Sequence, residues 1–256
     1  MATQTQNLGA IGHTMFYADA ALGNRTAGFH NSIYRGKSLG SSVTADQYAQ
    51  ISAGTFDDLF IGDYWTIGGV NYRIAAFDYW LRTGDTECTT HHAVIVPDSN
   101  FATAKMNDTN ITTGGYVGSA MYTSNLAAAK TTIKGDFNAA HILSHREYLV
   151  NAVTNGRPSG GAWCDSDIEL MNEHMVYGKH FEPASDGTSV PAIYTIDNAQ
   201  LPLFALEHSR ICNRADWWLR DVVSAADFAN VAGDGNCAYG SASSSLGVRP
   251  AFAIRA

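Results

Sequence analysis

Charge is scarce in this chain. Asp, Glu, Lys and Arg together make up 16% of its 256 residues, and their balance is −8. A surface with so few ionic groups must be built largely from neutral Asn, Ser, Thr and Gly. The negative sign disfavours nucleic acid or an anionic membrane as the main partner, because both call for clustered Lys and Arg. Long apolar runs are missing as well: none approaches the roughly 18 residues that a membrane span requires. The opening, MATQTQNLGAIGH, has neither the basic nor the apolar region of a signal peptide, so export by the general secretory route is not expected. The four cysteines, Cys88, Cys164, Cys212 and Cys237, lie far apart with no CxxC pair. That argues against zinc and for thiols outside disulfides, in a reducing compartment. HExxH, Walker and GxGxxG motifs are absent.

What is present is ample core material. The hydrophobic fraction of 45% and the many aromatic residues suit one large domain or two small ones. Residues 1–40 are Gly-, Asn- and Thr-rich without a sustained period; they read equally well as an arm that packs on neighbours or attaches the protein and as a poorly ordered lead-in. From residue 41 on, elements are legible. VTADQYAQISAG predicts a helix capped by Thr44, with Gln47 completing a capping box and Gly54 as the stop. YWTIGGVNYRIAAF predicts a hairpin around Gly68-Gly69, and HHAVIVP a strand buried on both faces. Residues 107–118 form a long polar loop. Three helices are then expected: 119–133; one from Ser144, with a capping box to Glu147, to Asn155-Gly156; and 167–177, stopping at Gly178. LPLFALEH suggests a further short helix. DWWLRDV, ADFANVA and GVRPAFAI return to strand. Strands at both ends with helices between predict an α+β domain whose ends share a sheet. DYWLRTGD at Asp78 is echoed by DWWLRDVV at Asp216, which is suggestive only.

Enzyme-like signals are thin. His91-His92, near Cys88 and Glu87, could ligate a metal, but adjacent strand residues point to opposite faces, which favours one buried and one exposed histidine. His141 and His145 need not share a face. Asp165, Asp167 and Glu169 are explained by the expected helix N-terminus, and CDSDIE lacks the loop of a calcium site. No metal or cofactor is expected.

The C-terminal constellation is stronger. Trp217, Trp218 and Leu219 put large apolar area in one strand, with Arg220-Asp221 read as an internal ion pair. Trp218, Leu219, Val248, Phe252 and Ile254 are predicted core, and Arg249-Pro250 suits a strand end. WWLRD, a small and polar stretch, and then GVRPAF near the terminus resemble the end of the variable proteins of diversity-generating retroelements. YRIAAFDYWLRTGD and LPLFAL…NR resemble that family's upstream landmarks.

The resemblance implies a C-type-lectin-like fold over residues 41–256, with 213–246 as the variable region. It implies a ligand-binding protein of phage or prophage origin, typically an oligomeric receptor-binding protein of the phage tail. Its partners would be virion or tail components and a bacterial surface protein or glycan. In such proteins adenines of the template are replaced at random, altering residues on one exposed face. From an AAC or AAT codon, that process cannot produce Lys, Gln, Glu, Met or Trp, and none of the five occurs between Ala226 and Leu246. Carried over by position, the diversified residues would be Asp216, Asp227, Asn230, Asp234, Asn236, Cys237, Ala238, Ser241, Ser243 and Ser245. Ala215 and Leu246 are possible additions, and Tyr239 and Phe228 would be the large apolar anchors. Trp217, Trp218 and 247–252 would be invariant scaffold. An ordinary flexible loop over 226–246 is the plainer alternative. The calcium motifs EPN, QPD and WND are absent, so calcium-dependent sugar binding is not implied. Two other readings stay open. One is a structural virion protein without a receptor. The other is an enzyme, of the formylglycine-generating type that shares the fold or a His-dependent hydrolase; Cys164, Cys212 and Cys237 match no copper-site spacing of the former.

Overall fold

Thr44 and Gln47 close a reciprocal capping box on helix α2 (Ala45–Ala53), and Gly54 ends it in the left-handed region at φ 67°. Both caps follow the sequence expectation. Thr44→Ala removes the side-chain acceptor for the Gln47 N–H and should cost about 1 kcal/mol of stability, measured by denaturant unfolding. This geometry comes from a computed structural model, which describes residues 26–180 and 199–256. The first part of the expected arm lies outside those residues. Its end, residues 26–40, carries the short helix α1 (Ala27–His30) and runs beside the body: His30 Nδ1 lies 2.7 Å from the Leu59 carbonyl, and Arg35 pairs with Asp63 at 2.6 Å.

Gly68 and Gly69, at φ 58° and 84°, form the predicted two-residue turn between β1 (Tyr64–Ile67) and β2 (Val70–Phe77). β3 (Ala93–Pro97) is buried at every residue, as its unbroken apolar run predicts, because β2 lies on one side and β12 (Pro250–Ile254) on the other. β7 (Ile168–Leu170) completes this sheet in the order β1-β2-β3-β12-β7, all antiparallel. Strands from both ends of the chain therefore share a sheet, and the class is α+β, richer in strand than in helix.

Two expected helices are corrected. The segment from Ser144 is a strand, β5 (His145–Thr154), paired with β6 (Arg157–Ser166). His145, Glu147 and Leu149 turn inward while their neighbours do not, a period of two. Asn155-Gly156, at φ 52° and 74°, is a hairpin turn rather than a helix stop. The expected helix over 167–177 is β7 followed by a short α4 (Glu173–Tyr177), capped by Asn172 and closed by Gly178 at φ 77°. A three-residue strand is too short to show its period. Asp165, Asp167 and Glu169 consequently sit at no helix N-terminus. Asp167 and Glu169 meet Lys130 of α3 (Ala127–Phe137) at 3.0 and 2.7 Å, and Asp165 meets Arg146 at 2.9 Å. The expected helix over 119–133 is a π-turn, Met121–Asn125, followed by α3. The short helix of LPLFALEH is α5 (Pro202–Leu206). The two echoed segments have different structures: Asp78 begins a turn, whereas Asp216 precedes a strand.

The second sheet runs β10-β9-β8-β11-β4, built from β4 (Thr103–Ala104), β8 (Trp217–Val222), β9 (Asp227–Val231), β10 (Cys237–Ser241) and β11 (Leu246–Gly247). It separates two cores. Trp217, Leu219 and Val231 face the core shared with the first sheet, and Trp218, Val222 and Phe228 face a smaller one containing Met106, Tyr116 and Met121. All five predicted core residues of the C-terminal region are buried.

Candidate ligand-binding edge

β10 is patternless in sequence, yet it pairs over its whole length with β9, Cys237 opposite Val231 and Ser241 opposite Asp227. The available signal is its turn: Gly233-Asp234-Gly235-Asn236 reverses the chain, with Gly235 at φ 92°. Among the described residues β10 ends the strand order, so its outer side is a sheet edge there. The candidate positions line this edge and its flanking turns. Ala215 and Asp216 are exposed just before β8, and an Asp216 carboxylate oxygen accepts the Gly233 N–H at 2.8 Å, tying two loops together. Asp234 and Asn236 are exposed at the β9–β10 turn, where Asn236 donates twice to Asp234, at 3.0 and 2.8 Å. Tyr239, at 59% exposure, is the one large apolar group presented by the edge. Ser241 donates to Asp227 at 3.1 Å, and Ser224 donates to the other Asp227 oxygen at 2.6 Å. Ser243, half-buried, and Ser245, exposed, lie between β10 and β11, and half-buried Leu246 packs on the smaller core.

Strand alternation splits these residues. Cys237, Tyr239 and Ser241 point to one side of the sheet, Ala238 and Gly240 to the other. Two expected contact residues are corrected on the same ground. Asn230 is only 3% exposed and Phe228 is fully buried, because β9 is an interior strand covered on both faces. Neither can touch a ligand in this conformation.

Beneath the Cys237 end lies a cluster that sequence spacing does not disclose. Asp221 does not pair with Arg220: adjacent strand residues face opposite ways, and Arg220 reaches Glu147 at 2.5 Å. Asp221 instead accepts the Glu173 N–H at 2.7 Å. His180 Nδ1 is 3.2 Å from a Glu173 carboxylate oxygen and 4.0 Å from one of Asp221. The Cys237 thiol donates to the other Glu173 oxygen at 3.1 Å. Tyr177 donates to the Gly235 carbonyl at 3.0 Å, pinning α4 under the β9–β10 turn. Burial, and then the neighbouring Glu173 charge, raise the Asp221 carboxyl to about 7. Burial, and then His180, lower His174 to about 4.

The other sequence candidates are structural in their contacts. His92 is fully buried, bonded to the Trp80 N–H at 3.0 Å and to the Thr90 carbonyl at 2.9 Å, and burial lowers it to about 4. His91 is partly exposed and paired with Asp78 at 2.7 Å, so the two histidines diverge as expected. His141 stacks on Tyr48 and His145 on Trp80, each at 3.9 Å, in separate surroundings. None of the four cysteines is in a disulfide, and burial pushes the Cys88 and Cys164 thiols up, away from nucleophilic character. Two open clefts, of about 390 and 260 Å³, share Asp165 and do not reach β10.

Residues 163–256 match the model of a family described as a domain of unknown function (DUF6273). The matched stretch holds all of the second sheet except β4, together with α4 and the candidate edge. No curated protein and no solved structure matches the chain.

Proposed function

We propose that this chain is a non-enzymatic ligand- or receptor-binding protein of phage or prophage origin, displaying a diversified sheet edge on a C-type-lectin-like scaffold. One observation carries the reading: small polar side chains collect along an edge strand and its turns, while the residues that follow are locked into the fold. A Cβ at Gly247 would lie 1.9 Å from the Asn100 side chain, and Arg249, Pro250 and Phe252 are buried. The exposed positions before that boundary, such as Asp234, Asn236, Tyr239 and Ser245, can change without disturbing either core, and the buried ones after it cannot. The antiparallel pairing of β2, β3 and β12, from opposite ends of the chain, supports the scaffold assignment.

A rigid sheet presents such an edge with little ordering cost on binding, and Tyr239 is its natural anchor. With so few large groups each contact is weak, so a homo-oligomer gains strength through avidity. The ligand is a bacterial surface protein or glycan, and the place of action is the virion, at the tail, beside other tail components. Among the described residues no helix is long and apolar enough to cross a membrane.

The test replaces Asp234, Asn236, Tyr239 and Ser243 together with alanine. Each change should cost no more than about 0.5 kcal/mol of stability. Binding to a panel of intact bacteria and their extracted surface glycans should fall at least about tenfold, or about 1.4 kcal/mol. Unaltered binding by a folded variant would overturn the proposal and favour a structural virion protein.

A further inference from the structure

We infer that Glu173, His180 and Asp221 form a binding site for a divalent transition metal of the zinc type. The three groups come from separate places in the chain: the first turn of α4, the segment after it and β8. One ligand atom from each of Glu173, His180 and Asp221 lies within 4.8 Å of the other two. The His180–Glu173 separation of 3.2 Å resembles the roughly 3.3 Å between ligand atoms bound about 2.0 Å from a tetrahedral ion, while the Cys237 thiol meets the other Glu173 oxygen and stands outside the group. The Asp221 oxygen, 4.0 Å from His180 Nδ1, closes onto the same centre with a small side-chain rotation.

The donor set selects the ion. An imidazole beside two carboxylates suits zinc or a neighbouring borderline metal, whereas calcium and magnesium require oxygen ligands throughout. The Glu173 side chain is fully buried and Asp221 and His180 expose only 11% and 18%, so the ion would be held away from bulk water. The backbone already fixes part of this arrangement. The Glu173 N–H holds the second Asp221 oxygen, leaving the first toward His180, and Tyr177 anchors the helix that carries Glu173. The three ligands join α4 to β8, so a bound ion would clamp the helix against the sheet with its fourth position left to water. The site does not depend on the ligand-binding proposal, because it rests on α4, His180 and β8 alone.

The experiment loads the chelator-stripped full chain with zinc, follows uptake by calorimetry and metal analysis, and repeats it with cobalt(II). One ion per chain should bind, and His180→Ala and Asp221→Asn should each weaken binding at least about 100-fold, beyond the 10–100-fold that loss of an outer-shell partner costs. Asp221→Asn keeps the shape of the side chain and guards against misfolding as the explanation. Cobalt should bind without a sulfur-to-metal charge-transfer band, and Cys237→Ser should leave uptake unchanged. Absence of saturable uptake by the unaltered chain, equal uptake by both variants, or a sulfur band lost in Cys237→Ser overturns the site as assigned. Neither outcome bears on surface binding, which the alanine variant reads separately.

Discussion

Arg220→Ala should be among the most damaging single changes in this protein, costing about 3–5 kcal/mol in denaturant unfolding, because it strands a buried carboxylate. The Glu147 side chain is only 2% exposed, with one oxygen 2.5 Å from Arg220 and the other 3.0 Å from His145. Burial alone would push the Glu147 carboxyl up; Arg220 and His145 overcome it and hold the group at about 2. A folded-state value below the ordinary carboxylate range means that this pair stabilises the fold fully above that range. The contribution is then lost as pH falls toward 2. Arg220→Ala removes the cause, so the stability gap between variant and parent should narrow below about pH 4. A double replacement, Glu147→Leu with Arg220→Met, should recover most of the loss, because no charge is then left buried. A gap that is independent of pH, or a double variant no better than Arg220→Ala, would show that packing rather than charge pairing sets the cost.

The second large effect is expected at Arg249, a residue of the terminal GVRP stretch. Its guanidinium is almost wholly buried, at 1% exposure, and donates to the carbonyls of Pro97 at 2.8 Å and Arg210 at 3.0 Å. The Trp217 and Phe204 rings lie 4.9 and 5.6 Å away. Burial lowers the group to about 10, with Asp98 pulling upward and Arg210 and Arg73 pulling down, so it stays charged at neutral pH. Its planar fork joins the end of β3 to the segment before β8 in a way that a lysine ammonium cannot reproduce. Arg249→Lys should therefore cost about 2–4 kcal/mol, the worth of one or two hydrogen bonds from a charged donor. Ser245→Ala, on the other side of the Leu246–Gly247 boundary, should change stability by less than about 0.5 kcal/mol. Comparable losses at the two positions would remove the distinction between scaffold and variable edge.

Local sequence determined the elements whose signals are complete within a few residues. The Thr44–Gln47 box, the Gly68-Gly69 turn, the unbroken apolar run of β3 and the Trp-rich β8 each carry their own physical cause. The same locality explains the errors. Ser144 and Glu147 have the spacing of a capping box, but alternating burial and the Asn155-Gly156 turn make that segment a hairpin strand. β10 offers no apolar period, and only its pairing with β9 makes it a strand. Asn230 and Phe228 resemble surface residues in a small, polar stretch, yet an interior strand has no exposed face to give them.

Tertiary structure alone decided which ionic groups meet. Arg220 and Asp221 are neighbours in the chain and turn away from each other, one toward Glu147 and the other toward Glu173 and His180. No spacing rule could foretell those partners, because strand alternation fixes only the side to which a residue points. What waits on that side depends on which distant element packs there.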